Sequence, residues 1–181
     1  EPGQDRPDLM VAVGVEGGVF GGDDFIMVSL TPSGGERWAY RYDSAGLSNS
    51  EALSLVAGAD GNVYAAGWRA DTVPGTDFMV ISLTYSGAER WVYRYNGPAN
   101  SNDGAYSLVA GADGNVYAAG ASSGTGYDFT VISLTASGSE RWVYRYNGPG
   151  NYVDEAISLV AGPGGNIYAA GSCTGTAGYF D

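Results

Sequence analysis

Apolar and polar positions along this chain follow two short-range patterns, and both belong to β-strands. Phe78–Thr84 carries apolar side chains on both faces and ends at Ser86-Gly87, which fits a strand covered on both sides. Glu89–Asn96 alternates: Trp91, Tyr93 and Tyr95 fall on one face, and Arg90, Val92 and Arg94 on the other. That is the period of two expected of a half-buried strand. Leu53–Ala57 and Val63–Gly67 are two further apolar runs, separated by Ala59-Asp60-Gly61-Asn62. Asp-Gly between apolar runs is a hairpin signal. The small residues Ala65, Ala66 and Gly67 suit a place where backbones approach closely. No apolar run approaches the ~20 residues that a membrane-spanning helix needs.

These patterns recur. Asp77–Gly97 (DFMVISLTYSGAERWVYRYNG) and Asp128–Gly148 (DFTVISLTASGSERWVYRYNG) agree at 18 of 21 positions, and an earlier copy starts at Asp24. SLVAGADGNVYAAG occurs at Ser54–Gly67, again at Ser107–Gly120, and as SLVAGPGGNIYAAG at Ser158–Gly171. Trp38, Trp91 and Trp142 set the spacing at 53 and then 51 residues. Each unit therefore holds four antiparallel strands, a to d. Units of this size and make-up predict an all-β fold, a β-propeller-type array of four-stranded blades.

The pattern D-F-x-V-x-x-L-x-x-S-G-x-x-x-W-x-x-x-Y followed by A-x-S-L-V-A-x-x-x-G-N-V-Y-A-A-G resembles the bacterial and archaeal beta-propeller repeat often called the SBBP repeat. The likeness runs from about Leu9 onward. It implies a secreted or cell-surface scaffold or binding module, and it supplies no catalytic residues.

The predicted division is a tail (1–8), a first blade with a degenerate a–b pair at Val11–Gly22 (9–47), two full blades (48–97 and 98–148), and half a blade (149–181). Three and a half blades fall short of the four to eight of a closed propeller. The remainder is expected from missing blades of a longer chain, from a second copy completing a composite ring, or from an open stack with heterologous ends.

Composition narrows the function. The chain has 181 residues, is 44% apolar and 13% aromatic, and holds 30 glycines, enough apolar matter for a core. Its net charge of −12 argues against a nucleic-acid partner. There is no Lys and no His, and one cysteine, Cys173, so the commonest acid–base group and metal ligand is missing. An enzyme is not expected. A polysaccharide-acting propeller enzyme would need paired carboxylates, and none stand out.

Identical positions read as structure. The pairs Glu36-Arg37, Glu89-Arg90 and Glu140-Arg141 read as exposed edge charges, and Arg41, Arg94 and Arg145 as an outer row. The tryptophans read as blade-to-blade packing. Asp60 and Asp113 lie in Asp-Gly-Asn turns, whose geometry suits Asp and Asn; as hard oxygen donors they are also weak calcium candidates. No other cofactor is expected. Binding is expected where the copies differ, on the rim formed by the b–c and d–a loops. There Trp68, Arg69, Asp71, Tyr127, Tyr152 and Asp154 offer aromatic platforms beside polar groups, suited to a protein or glycan partner. A tandem-repeat lectin is the alternative, although the rim differs from blade to blade.

Overall fold

The computed structural model describes residues 10–17, 23–42, 49–70 and 75–176. They form an all-β protein of thirteen strands: β1 (Met10–Gly17), β2 (Asp23–Leu30), β3 (Glu36–Tyr42), β4 (Ser50–Ala57), β5 (Val63–Ala70), β6 (Thr76–Leu83), β7 (Glu89–Tyr95), β8 (Asp103–Ala110), β9 (Val116–Ser123), β10 (Tyr127–Leu134), β11 (Glu140–Tyr146), β12 (Asp154–Ala161) and β13 (Ile167–Cys173). Four sheets follow in chain order, β1-β2-β3, β4-β5-β6-β7, β8-β9-β10-β11 and β12-β13. Every ladder is antiparallel.

The expected strands are present, the first two of a unit each three residues longer, the third shifted to start two residues earlier, and the last one residue shorter. The first unit departs from expectation. The described residues of Val11–Gly22, up to Gly17, lie in a single strand, β1, which pairs with β2 from Met10↔Leu30 to Gly17↔Asp23. The run VAVGVEG has no Asp-Gly or Asn-Gly pair to turn it into a hairpin. Residues 18–22 and the tail 1–8 lie outside the described residues.

Two bulges recur in each full sheet. On the first strand Ala52 pairs with Gly67 and Ser54 with Ala66, so Leu53 is the extra residue. Tyr106 and Ile157 hold the same place. The bulge brings backbone against the glycine opposite: a Cβ on Gly67 would stand 1.8 Å from Glu51 O, and one on Gly120 1.9 Å from Gly104 O. Only glycine fits there. On the last strand Ser82 pairs with Trp91 and Leu83 with Glu89, so Arg90 is the extra residue. Arg37 and Arg141 match it.

The sheets stack face to face. β4 lies on β1 and β2, β8 on β4, β5 and β6, and β12 on β8, β9 and β10. Near the first strands the space between sheets is narrow and filled by Ala65, Ala66, Ala118 and Ala119, all fully buried. Ser54 Oγ accepts the Leu108 N–H, and Ser107 Oγ accepts the Leu159 N–H, both at 3.0 Å. At the last strands large aromatic side chains span the gap. Trp38 donates its indole N–H to Tyr85 O and Trp91 to Ala136 O, each at 3.0 Å. A Cβ on Gly87 would meet the Trp38 ring and one on Gly138 the Trp91 ring; both glycines have φ +86.

The Glu-Arg pairs lie on the end strand of each sheet, largely exposed as expected of edge charges, and Arg37, Glu89, Arg90 and Glu140 also bond to a neighbouring sheet. Strict alternation would set Arg90 opposite Trp91, but the bulge re-aims it. Arg90 reaches Ser82 Oγ at 2.9 Å and, with Trp91, the carbonyl of Ala136 on the next sheet. Tyr40 donates to Glu89, and Tyr93 donates to Glu140 at 2.6 Å. Burial, and then the carboxylate beside each, push both phenols far above the ordinary range. The expected outer row is a set of ion pairs with partly or fully buried aspartates. Arg41 pairs with Asp24 at 2.8 Å, Arg94 with Asp77, and Arg145 with Asp128 at 2.7 Å.

Candidate functional site on the loop rim

Among the described residues, the end of a loop after a second strand meets the loop before the first strand of the next sheet at two junctions, Gly75 with Ser101 and Gly126 with Tyr152, on one rim. Neighbouring sheets interlock there by backbone. A Cβ on Gly75 would stand 2.6 Å from Ser101 O, and one on Gly126 2.0 Å from Tyr152 O. Thr76 Oγ1 donates to Asp103 O at 3.0 Å, and Tyr127 forms a bridge with Val153.

Between the second and third sheets this rim opens into a cleft of about 290 Å³, lined by Trp68 and Thr76 from one sheet and Asn102, Asp103, Gly104, Tyr106 and Tyr127 from the other. The residues reach it for local reasons. Trp68 continues β5 past Gly67, and its indole N–H is held by Glu51 Oε2 across the ladder at 3.2 Å. Tyr106 is the bulge residue of β8. Asn102 Nδ2 donates to the Tyr127 hydroxyl at 3.1 Å. Burial, with Glu155 and Tyr127 nearby, pushes the Tyr106 phenol up to about 12. The cleft thus presents three aromatic side chains with an amide, a threonine hydroxyl and a fixed carboxylate close by.

The structure brings together Trp68 and Tyr127 of the residues expected at the rim. Tyr152 stands on the same rim, 49% exposed, one junction further on. Arg69 turns toward the first sheet, its guanidinium 5.8 Å from the centre of the Tyr42 ring, a cation–π distance. Asp71 lies outside the described residues. Asp154 departs from expectation: it is fully buried. Its carboxylate accepts the Gly148 N–H at 2.5 Å and the Thr174 N–H at 3.1 Å. Asp103 does the same for Gly97 and Ser123. Both tie the start of a d–a loop to the sheet that follows it, because buried backbone N–H groups need acceptors.

Asp60 and Asp113 work inside their own turns. Asp60 accepts from Asn62 N, Asn62 Nδ2 and the Tyr64 hydroxyl at 3.1, 2.6 and 2.6 Å. Burial raises its pKa, but those hydrogen bonds and Arg90 outweigh it and hold the carboxyl below the usual range. Asp113 is held down chiefly by Asn115, with Tyr117 and Arg141 adding. Four partners per carboxylate, one a guanidinium, explain the residue choice without a cation. No group of three or more metal-ligating side chains occurs among the described residues.

Sequence reasoning missed Asn102, Thr76 and Tyr106. A signal for Tyr106 was present: A-x-S-L-V-A carries Leu53, Tyr106 and Ile157 at its one varying position.

Comparison with known proteins adds little. No family model matches the chain, and no curated protein does. Among solved structures it is similar to a protein of unknown function from Bacteroides caccae, at 12% identity and a TM-score of 0.48. The match covers 93% of this chain and 56% of that one, so the chain spans little more than half the neighbour's length.

Proposed function

We propose that this chain is a non-catalytic interaction module, part of a β-propeller-type array of the SBBP kind, displayed outside the cell and recognising a partner through its loop rim. One observation carries the reading. The side chains identical between copies join sheets or hold turns, while the rim cleft is built where copies differ, at Trp68, Tyr106 and Tyr127. Four-stranded sheets stacked through their first strands, with alanine at the inner strands and tryptophan at the last, support the wedge-shaped blade of a propeller.

A carbohydrate is the second reading, favoured by three aromatic rings beside the Asn102 amide. Sugars offer an apolar ring face for stacking and hydroxyls for such groups. The test is a glycan array probed with the wild type and with Trp68→Ala. Saturable hits lost in the variant establish the cleft as a sugar site. Hits that survive Trp68→Ala place recognition elsewhere and overturn the rim assignment. An empty array removes the carbohydrate and leaves a protein partner.

A further inference from the structure

Among the described residues the forward face of a sheet is covered twice, each time by the same kind of hairpin. On the first sheet, Phe25, Met27 and the aromatics Trp38, Tyr40 and Tyr42 are packed by Met79, Ile81, Leu83 and Val92 of β6–β7. On the second, Phe78, Val80, Trp91, Tyr93 and Tyr95 are packed by Ile132, Leu134 and Val143 of β10–β11. On the third sheet the equivalent residues are Phe129, Val131, Trp142, Tyr144 and Tyr146. There, among the described residues, β12–β13 covers only the inner part, and a groove of about 780 Å³ lies beside the edge of β13 that pairs with no other described strand. Trp142 is 40% and Tyr144 53% exposed.

We propose that this groove is a receptor site for a β-hairpin of the repeat's own c–d chemistry, one with the side-chain pattern of Thr76–Gly97. The filled junctions specify the occupant. Its first strand pairs antiparallel with β13, as β6 pairs with β5 and β10 with β9. Its apolar residues at alternate positions enter the groove, as Ile132 and Leu134 do. A turn carbonyl accepts the Trp142 indole N–H, as Ala136 O does for Trp91. A glutamate opening its second strand accepts from the Tyr144 hydroxyl, as Glu140 does from Tyr93. Its tryptophan also finds a partner: Tyr168, 55% exposed, occupies the place of Tyr64 and Tyr117, whose rings lie 5.8 and 5.9 Å from Trp91 and Trp142. A second copy of this chain is not the occupant, because its corresponding hairpin, β2–β3, already has its edge taken by β1 along eight paired positions.

The proposal rests on the array reading above but not on the rim cleft, so the two fail separately. The probe is a synthetic peptide of residues 76–97, added to the isotopically labelled chain and followed by NMR. An isolated hairpin is marginally stable, so binding and folding are coupled. The expected result is one peptide per chain, with shifts along 167–173 and a downfield move of the Trp142 indole proton. Ala169→Arg fills the groove from an exposed position and is expected to weaken binding at least tenfold with the fold intact. Tyr144→Phe is expected to weaken it several-fold. A scrambled peptide is expected not to bind. The proposal is overturned by no shifts at millimolar peptide, by shifts confined to β1–β3, or by a self-associated chain whose groove is already occupied.

Discussion

Trp91 and Trp142 sit in the same seven-residue strand, ERWVYRY, and end in different surroundings. Trp91 gives its indole N–H to Ala136 O on the next sheet, whereas Trp142 is 40% exposed. Two positions on, Tyr93 bonds Glu140, while Tyr144 is 53% exposed. The same holds for V-Y-A-A-G, buried throughout in β5 and β9, and for its copy in β13, exposed from Tyr168 to Gly171. The strand and its register are properties of the local sequence. Burial is a property of the junction, made only when another hairpin arrives.

The sharpest way to break this comparison is at the bulge glycines. Gly120→Val forces a side chain onto Gly104 O inside a filled junction and is expected to cost about 3 kcal/mol or more. Gly171→Val meets Glu155 O at a similar distance but disturbs only the two-stranded end. Denaturant titration of both variants checks this. If they lose equal stability, the end is as integral as the middle.

Next comes tryptophan. Trp91→Ala is expected to cost about 3 kcal/mol, and Trp142→Ala no more than about 1 kcal/mol, through its contact with Tyr117. Tyr93→Phe, which leaves Glu140 without its phenol, is expected to cost about 1 kcal/mol, and Tyr144→Phe close to none. Chemical denaturation of the four variants orders them. A Trp142 variant as costly as Trp91 would show a covered third face.

The smallest effects are in pH. Tyr40 and Tyr93 have pKa values raised above the ordinary tyrosine value, so the folded chain holds their protons longer than the unfolded chain does. Their contribution is fully present below about pH 10 and is lost as pH rises beyond it. Asp60 and Asp113 run the other way, holding at neutral pH and failing as pH falls below about 3.9. Melting temperature followed above pH 10 is expected to fall less steeply in Tyr40→Phe and Tyr93→Phe. Equal slopes would detach these phenols from the junctions.

Strand content and antiparallel pairing were legible in the sequence because alternation and Asp-Gly turns are local signals. The roles of Arg90 and Asp154 were not. A bulge is invisible to a strict period of two, so Arg90 was assigned to the wrong face. Asp154 lies between a polar loop and an apolar strand and reads as rim, yet its carboxylate is wanted by two buried N–H groups. Trp68 and Tyr127 were legible as divergent aromatics. Their meeting with Tyr106 required the sheets to be stacked first.

The most direct measurement is hydrogen exchange of the tryptophan indole N–H groups by NMR. The account predicts that Trp38 and Trp91, held by carbonyls of the next sheet, exchange more slowly than Trp142 by on the order of tenfold or more. A Trp142 indole as protected as that of Trp91 would mean that the third face is already covered, and would contradict the account.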